Sequence, residues 1–409
     1  MHRLRFLRRG AAAAAVAAAT TAAAAASFGR NPPRADRKDN SASSKSWPTG
    51  KDGGSVVMRG DELMEVEASL NYQDAEKVAP SLVRNGLVGT ERNSSGGDME
   101  LYGVHFQPTM TTIKNARAME PTRLSREGFE LRSHDVATEL GTDFDFYDDN
   151  QIIQRYYPSI EKLVREATGA SHVYAFDHNV RCAGGNKSGK TLKSGSAVQA
   201  PAHIVHTDYT LTSAPQRLRD LSEAPKINDT WRKIRNTNEP LIPKEQVKDA
   251  LEGKGRFQII NVWRNIKKEP VGIFPLAVCN AHTANPKDLV TFEIHYKDRV
   301  GENYFLRAAS AEEEPHHRWY YFPRMMQSEV LVFKQWDTHG PLPTENRVKG
   351  SGRAPQFCAH TAFKDPSSLP HSPDRESIEV RVIALHLDDE KEGGVLNIKG
   401  VRAWLNKYL

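Results

Sequence analysis

The residues best placed to do chemistry lie in the segment Pro201 to Thr210, which contains His206-Thr207-Asp208, an H-x-D. In an extended segment, side chains two positions apart project to one face, so an imidazole and a carboxylate can aim at one point. A second imidazole, His360, lies 154 residues downstream, inside Phe357 to Phe363. Two imidazoles and one carboxylate on one face of an octahedron leave three positions open, as in non-haem Fe(II) oxygenases. Fe(II) is therefore the expected metal, with His206, Asp208 and His360 as ligands and catalytic centre. Further on, Arg375-Glu376-Ser377 opens the apolar run Ile378 to Leu387. A guanidinium presents two parallel donors to a carboxylate and a Ser hydroxyl adds one more, so Arg375 with Ser377 would cradle a 2-oxo acid co-substrate. Arg381 competes for that role from deeper in the run; a buried Arg needs a partner, and Glu379 or a bound carboxylate would supply it.

Each of these features has a plainer explanation. A bare H-x-D is common by chance and often marks a hydrogen-bonded surface pair, but apolar Ala202 to Val205 puts this one at a strand end. The other candidates for third ligand are His178, His203, His339, His371 and His386. His203 would face away from His206 in a strand, and His316-His317 sit in a charged turn and read as exposed. A second motif, residues 184–191, matches G-x-x-x-x-G-K-[ST], the phosphate-cradling P-loop, and follows a strand. That motif needs a helix after it. Here Leu192 to Ser196 and then Pro201 make a poor helix, so a Gly/Ser/Lys surface loop is expected and nucleotide binding is kept as an alternative. Cys182, Cys279 and Cys358 form no C-x-x-C, which argues against a structural zinc.

The bulk properties fit a folded enzyme. A hydrophobic content of 38% in 409 residues supports a real core. The net charge is +5, but residues 1–40 hold eight Arg/Lys against two Asp, so the remainder is close to −1. A near-neutral body argues against nucleic acid as a partner. The odd cysteine count and spacing point to a reducing compartment without structural disulfides. No run of 18 or more strongly apolar residues is present, so no transmembrane span is expected.

Several elements must position these residues. Residues 1–30 are Arg-rich, Ala-rich and free of acids, which fits a mitochondrial presequence; a secretory signal or an untargeted, cytoplasmic low-complexity segment are the alternatives. Residues 31–55 read as a disordered linker. Residues 56–170 read as a mostly helical N-terminal region packing on the core. In it, Asp61 to Ala68 and Tyr72 to Ala79 are short helices, and Gln151 to Ala167 is a longer one that Pro158 should kink. Between 171 and 390 the pattern gives eight or nine short strands with Pro/Gly-rich turns, among them Ser171 to Asn179, Phe257 to Trp263 and Ile378 to Leu387. Residues 391–409 end in a C-terminal helix. The fold class is mainly β with flanking helices, a sandwich or barrel-like jelly roll.

The order of several blocks resembles the CmcJ/AsaB-like hydroxylase/desaturase family, which includes fungal gibberellin desaturase. The blocks are residues 173–181, 202–209, 260–264, 275–279, 320–326, 329–338, 357–366 and 375–381. The resemblance spans about residues 100–390. It implies a double-stranded β-helix (jelly-roll, cupin-like) core. It also implies Fe(II) and 2-oxoglutarate as cofactors, and O2-dependent hydroxylation or desaturation of a small-molecule secondary metabolite. By position it gives His206 and Asp208 the H-x-D role, His360 that of the distal His, and Arg375 with Ser377, or else Arg381, the 2-oxoglutarate role. Asn261, Trp263 and Arg264 are candidate pocket residues. The competing classes are a non-catalytic jelly-roll binding module and a nucleotide binder working through 184–191.

Overall fold

The computed structural model describes residues 63–387, except 93–97, 185–188, 196–197, 227–228, 253, 297–298 and 341–353. The leader, the linker, the C-terminal helix and the centre of the P-loop-like stretch lie outside the described residues.

Two sheets form the molecule. The larger has ten strands in the order β1-β4-β12-β9-β14-β7-β11-β10-β2-β3. These are β1 (Glu65–Gln73), β2 (Gly89–Arg92), β3 (Asp98–Tyr102), β4 (Phe106–Asn115), β7 (His206–Thr207), β9 (Leu276–Cys279), β10 (Leu289–His295), β11 (Val300–Leu306), β12 (Trp319–Tyr321) and β14 (His360–Ala362). The smaller is antiparallel throughout, in the order β5-β13-β8-β15-β6. Its strands are β5 (Phe129–Ser133), β6 (His172–Cys182), β8 (Arg256–Asn265), β13 (Glu329–Asp337) and β15 (Glu376–His386).

The small sheet is covered on both faces, so β8 and β15 are buried along almost their whole length even though polar residues alternate with apolar ones in both. Ile260, Val262, Ile378, Val380 and Val382 pack outward under the helix Tyr157–Thr168, together with Ile160 and Val164. Ile259, Ile383 and Leu385 face the large sheet and share a core with Val205, Ala277 and Tyr304. The result is the expected jelly-roll sandwich, with strand periodicity aiming alternate residues of β6, β8 and β15 into the space between the sheets.

The N-terminal region corrects the helical expectation for 56–170. Among the described residues, 65–133 contribute five strands; β1 takes the place of the helix expected at 61–68, and its end at Gln73 with the turn over 75–77 takes the place of the one expected at 72–79. Its Val66, Ala68, Leu70 and Tyr72 are buried while Glu65, Glu67 and Ser69 are exposed, a period of two. Glu, Met and Leu favour helices locally, but burying this stripe against β4 overrides propensity. Among the described residues, the helical part of the region is 136–140 and 149–168, with one 3-10 turn at Ala116–Ala118. There the kink expected at Pro158 takes the form of one π turn, Ile152–Tyr156, directly before the helix that Pro158 opens. Pro158 has no N–H and would clash with the carbonyl four residues back; widening the preceding turn relieves both.

Candidate active site

His206 and His360 are Cα partners in the antiparallel pairing of β7 and β14. Their ring centroids are 4.3 Å apart. Asp208 follows β7 directly, and its Oδ1 lies 3.6 Å from His206 Nε2 and 3.9 Å from His360 Nε2. The three ligand atoms all lie within 4.8 Å of one another.

Hydrogen bonds decide what these atoms present. His206 Nδ1 lies 2.7 Å from the Ile204 carbonyl and His360 Nδ1 lies 3.4 Å from the Cys358 carbonyl. A carbonyl only accepts, so each Nδ1 carries the proton and each Nε2 turns a lone pair toward Asp208. Burial, then the neighbouring His360, lowers His206 to about 4, and burial lowers His360 as well, so both rings are neutral at pH 7. Burial alone would raise the Asp208 carboxyl, but Arg381, the two neighbouring imidazoles and the Asn261 hydrogen bond together outweigh it and hold the group well below the usual carboxylate range. Asp208 Oδ2 accepts from Arg381 Nε at 2.9 Å and from Asn261 Nδ2 at 2.8 Å. Its backbone N–H donates to Gln335 Oε1 at 2.7 Å. Oδ1 is left facing the two imidazoles.

The small sheet supplies these supports from its inner face. Asp177, Asn179 and Arg181 on β6, Asn261 and Trp263 on β8, and Ser377, Glu379 and Arg381 on β15 alternate with outward apolar residues. Ser377 is buried opposite Arg181. Arg264 falls on the outer face, where its guanidinium donates to the His134 carbonyl at 2.8 Å, so it is not a pocket residue.

The two candidate arginines differ in company. Arg381 already binds three carboxylates: Asp208, Asp177 at 2.9 Å and Glu379 at 3.2 Å. Arg375 is buried, donates to the Phe274 carbonyl at 2.5 Å and stacks 5.4 Å over Trp263. Its Nε has no partner. Burial, then Arg181, lowers Arg375 to about 9, which still leaves it cationic at pH 7.

The other sequence candidates are accounted for elsewhere. His203 Nδ1 lies 3.1 Å from the Ala362 carbonyl and His178 Nδ1 lies 2.9 Å from the Tyr157 hydroxyl. His386 pairs with Gln258 at 3.0 Å, and the His339 backbone is held by Asp337. His316 and His317 are not the exposed pair expected, because both meet Asp288. In the P-loop-like stretch Lys190 pairs with Glu376 at 2.6 Å, and no helix is found between β6 and β7 among the described residues. Gln335, Asp177 and Arg181 were not singled out from sequence; for the last two, alternation along β6 was the available signal.

This is the arrangement of an oxidoreductase on a jelly roll. The chain belongs to the oxidoreductase/YMDC permease-like domain family, whose profile matches residues 85–385. It is 38% identical over 201 residues to an uncharacterised protein from the dcmA 3′ region of Methylophilus leisingeri, covering 49% of this chain and 91% of that one. It is 28% identical over 345 residues to the hydroxylase/desaturase efuI of Hormonema carpetanum, covering 80% and 97%. The fold is that of the iron and alpha-ketoglutarate-dependent endoperoxidase NvfI, with a TM-score of 0.57 at 23% identity over 79% of this chain and 98% of that one.

Proposed function

We propose that the chain is an Fe(II)/2-oxoglutarate-dependent oxygenase that hydroxylates or desaturates an unactivated C–H bond of a small-molecule secondary metabolite. The observation that carries this reading is the convergence of two imidazole lone pairs and one carboxylate oxygen on a common point. Three electron-rich atoms in a buried site repel one another unless a cation lies between them. Two neutral nitrogens and one oxygen suit Fe(II), and the named relatives point the same way.

His206, Asp208 and His360 would hold the metal. Arg375, whose buried Nε lacks a partner, would take the far carboxylate of 2-oxoglutarate, with Ser377 on the same strand face. Bound together, metal, co-substrate and O2 supply the oxidising power to break a C–H bond, with succinate and CO2 as co-products. The protein's own contribution is placement. Asn261 and Arg381 occupy Asp208 Oδ2 and so leave one oxygen for the metal. The Ile204 and Cys358 carbonyls fix the tautomers of the two rings. Trp263 and the Phe274 carbonyl fix the Arg375 fork.

The test replaces His206, Asp208 or His360 singly with Ala and measures bound iron and 2-oxoglutarate consumption. Each variant is expected to lose iron and turnover. Unchanged iron binding in any of them would remove that residue from the metal site. The leader composition also supports mitochondrial import. A fluorescent reporter carrying residues 1–40 should enter mitochondria, and a reporter left in the cytosol would overturn that assignment.

A further inference from the structure

A second group of donors lies outside this centre and shares no residue with it. Asp288 ends the 3-10 turn Pro286–Asp288 before β10, and His316 and His317 lie just before β12. Asp288 Oδ2 is 2.8 Å from His316 Nε2 and 3.0 Å from His317 Nε2. The three ligand atoms lie within 4.8 Å of one another, and the Asp288 and His317 side chains are only 4% and 7% exposed. Adjacent residues of an extended chain point apart, yet these two rings sit 4.5 Å apart and meet at one oxygen.

The surroundings fix the group as tightly as the first. Asp288 Oδ2 accepts the Asn285 N–H at 2.7 Å, and the Asp288 N–H returns to the Asn285 carbonyl at 3.0 Å. Tyr72 stacks on His317 at 5.5 Å with an 8° interplanar angle, and its hydroxyl is 3.2 Å from His317 Nδ1. That hydroxyl also accepts from Trp319 Nε1 at 2.6 Å. His316 Nδ1 lies 3.4 Å from the Glu314 carbonyl. Outer partners on the second ring nitrogen are a regular feature of metal-bound histidine. A carbonyl and a carboxylate can only accept, so His316 is a ring between two acceptors, and a neutral imidazole has one proton for both. One added positive charge, a second proton on the ring or a metal ion at the carboxylate side, satisfies both acceptors.

We infer that Asp288, His316 and His317 form a second divalent-cation site, suited to zinc, with its remaining position open to water. Two imidazoles and one carboxylate are a ligand set zinc accepts. The sequence argument against a structural zinc considered cysteines only and did not weigh these histidines. Its position gives it a structural role. In the large sheet β10 and β12 stand on opposite sides of β9, β14, β7 and β11. A cation here ties together the two flanks of the sheet segment that carries His206 and His360. The inference itself does not rest on the oxygenase reading, and Asp208→Ala tests it with the first site removed; only the second ion counted in the wild type depends on that reading.

Zinc titration of the full chain, with bound metal counted after desalting, tests it. Wild-type protein is expected to retain two zinc ions per chain, one at each site. Asp208→Ala should retain one, His317→Ala one, and the double variant none. Zinc should raise the melting temperature of Asp208→Ala, and adding His317→Ala should abolish that rise. If His317→Ala fails to fold, by circular dichroism, His316→Gln keeps comparable bulk and hydrogen-bonding capacity and should likewise lose one ion. Asp208→Ala protein that binds no zinc, or a folded His317→Ala or His316→Gln protein that still binds two, overturns the inference. In that case the three side chains are an ion pair held by a proton.

Discussion

The two oxygens of Asp208 have different neighbours, and the difference is testable one residue at a time. Oδ2 is bound by Asn261 and Arg381, and Oδ1 faces the imidazoles. Asn261→Ala should lower iron affinity about 10- to 100-fold, the usual range for partners of metal ligands, and iron titration followed by 2-oxoglutarate consumption would measure it. The two arginines should separate cleanly. Arg375→Gln is expected to raise KM for 2-oxoglutarate about tenfold or more while iron still binds, because one charged hydrogen-bond donor set is lost. Arg381→Gln should instead weaken iron binding, because it strips a donor from Asp208 and leaves Glu379 buried beside it. The sequence could not choose between them: residues 375, 377, 379 and 381 share one strand face, and the choice depends on which carboxylates the other strands bring. Arg264 was misplaced by the parity of β8. The Asp288 pairing of His316 and His317 was hidden by a sequence separation that no local pattern spans.

At the level of elements, the irregularities do as much positioning as the regular strands. The pairing of β13 with β8 shifts register between Lys334 and Trp336, and Gln335 sits in that bulge. A bulge turns an additional side chain out of the alternation. Gln335 uses this to accept from the Asp208 N–H and to donate to the Cys358 carbonyl at 2.9 Å. One side chain therefore touches the segments of both Asp208 and His360. Gln335→Leu should cost about 1–3 kcal/mol in urea unfolding by leaving a buried N–H unpaired, and should also weaken iron binding. Gln335→Glu, which keeps the acceptor, should recover part of both. Strands such as β8, β10 and β15 were legible because each is dense in Val, Ile, Leu and aromatic residues. β1 and β4 were not. Their alternation is half polar, β4 is rich in Thr, and their partners are each other and a strand some two hundred residues away. Bulges leave no sequence signature that could have been read.

The whole molecule should respond to acid in two stages. Burial, then Arg264, lowers His134 to about 4; burial, then Arg375, lowers His203 to about 4. Unfolded, each takes up a proton near pH 6.5. Between pH 6.5 and 4 the unfolded chain thus binds more protons than the native one, and stability falls as the pH drops. Asp337 acts in the same direction in a lower window. Burial would raise it, but Arg256 and Lys334 bring it to about 2, so its contribution is present above 3.8 and is lost as the pH falls toward 2. Urea midpoints of metal-free protein across this range should show both phases, and His134→Gln should flatten the first.

The pairing of His206 with His360 also carries a kinetic consequence. These rings become neighbours only when β14 has docked beside β7, a join between residues 154 positions apart in the chain. No earlier stage of collapse offers both nitrogens at once. Iron capture should accordingly lag behind the recovery of β-sheet dichroism during refolding, which would make the metal a clock for the final closure of the barrel.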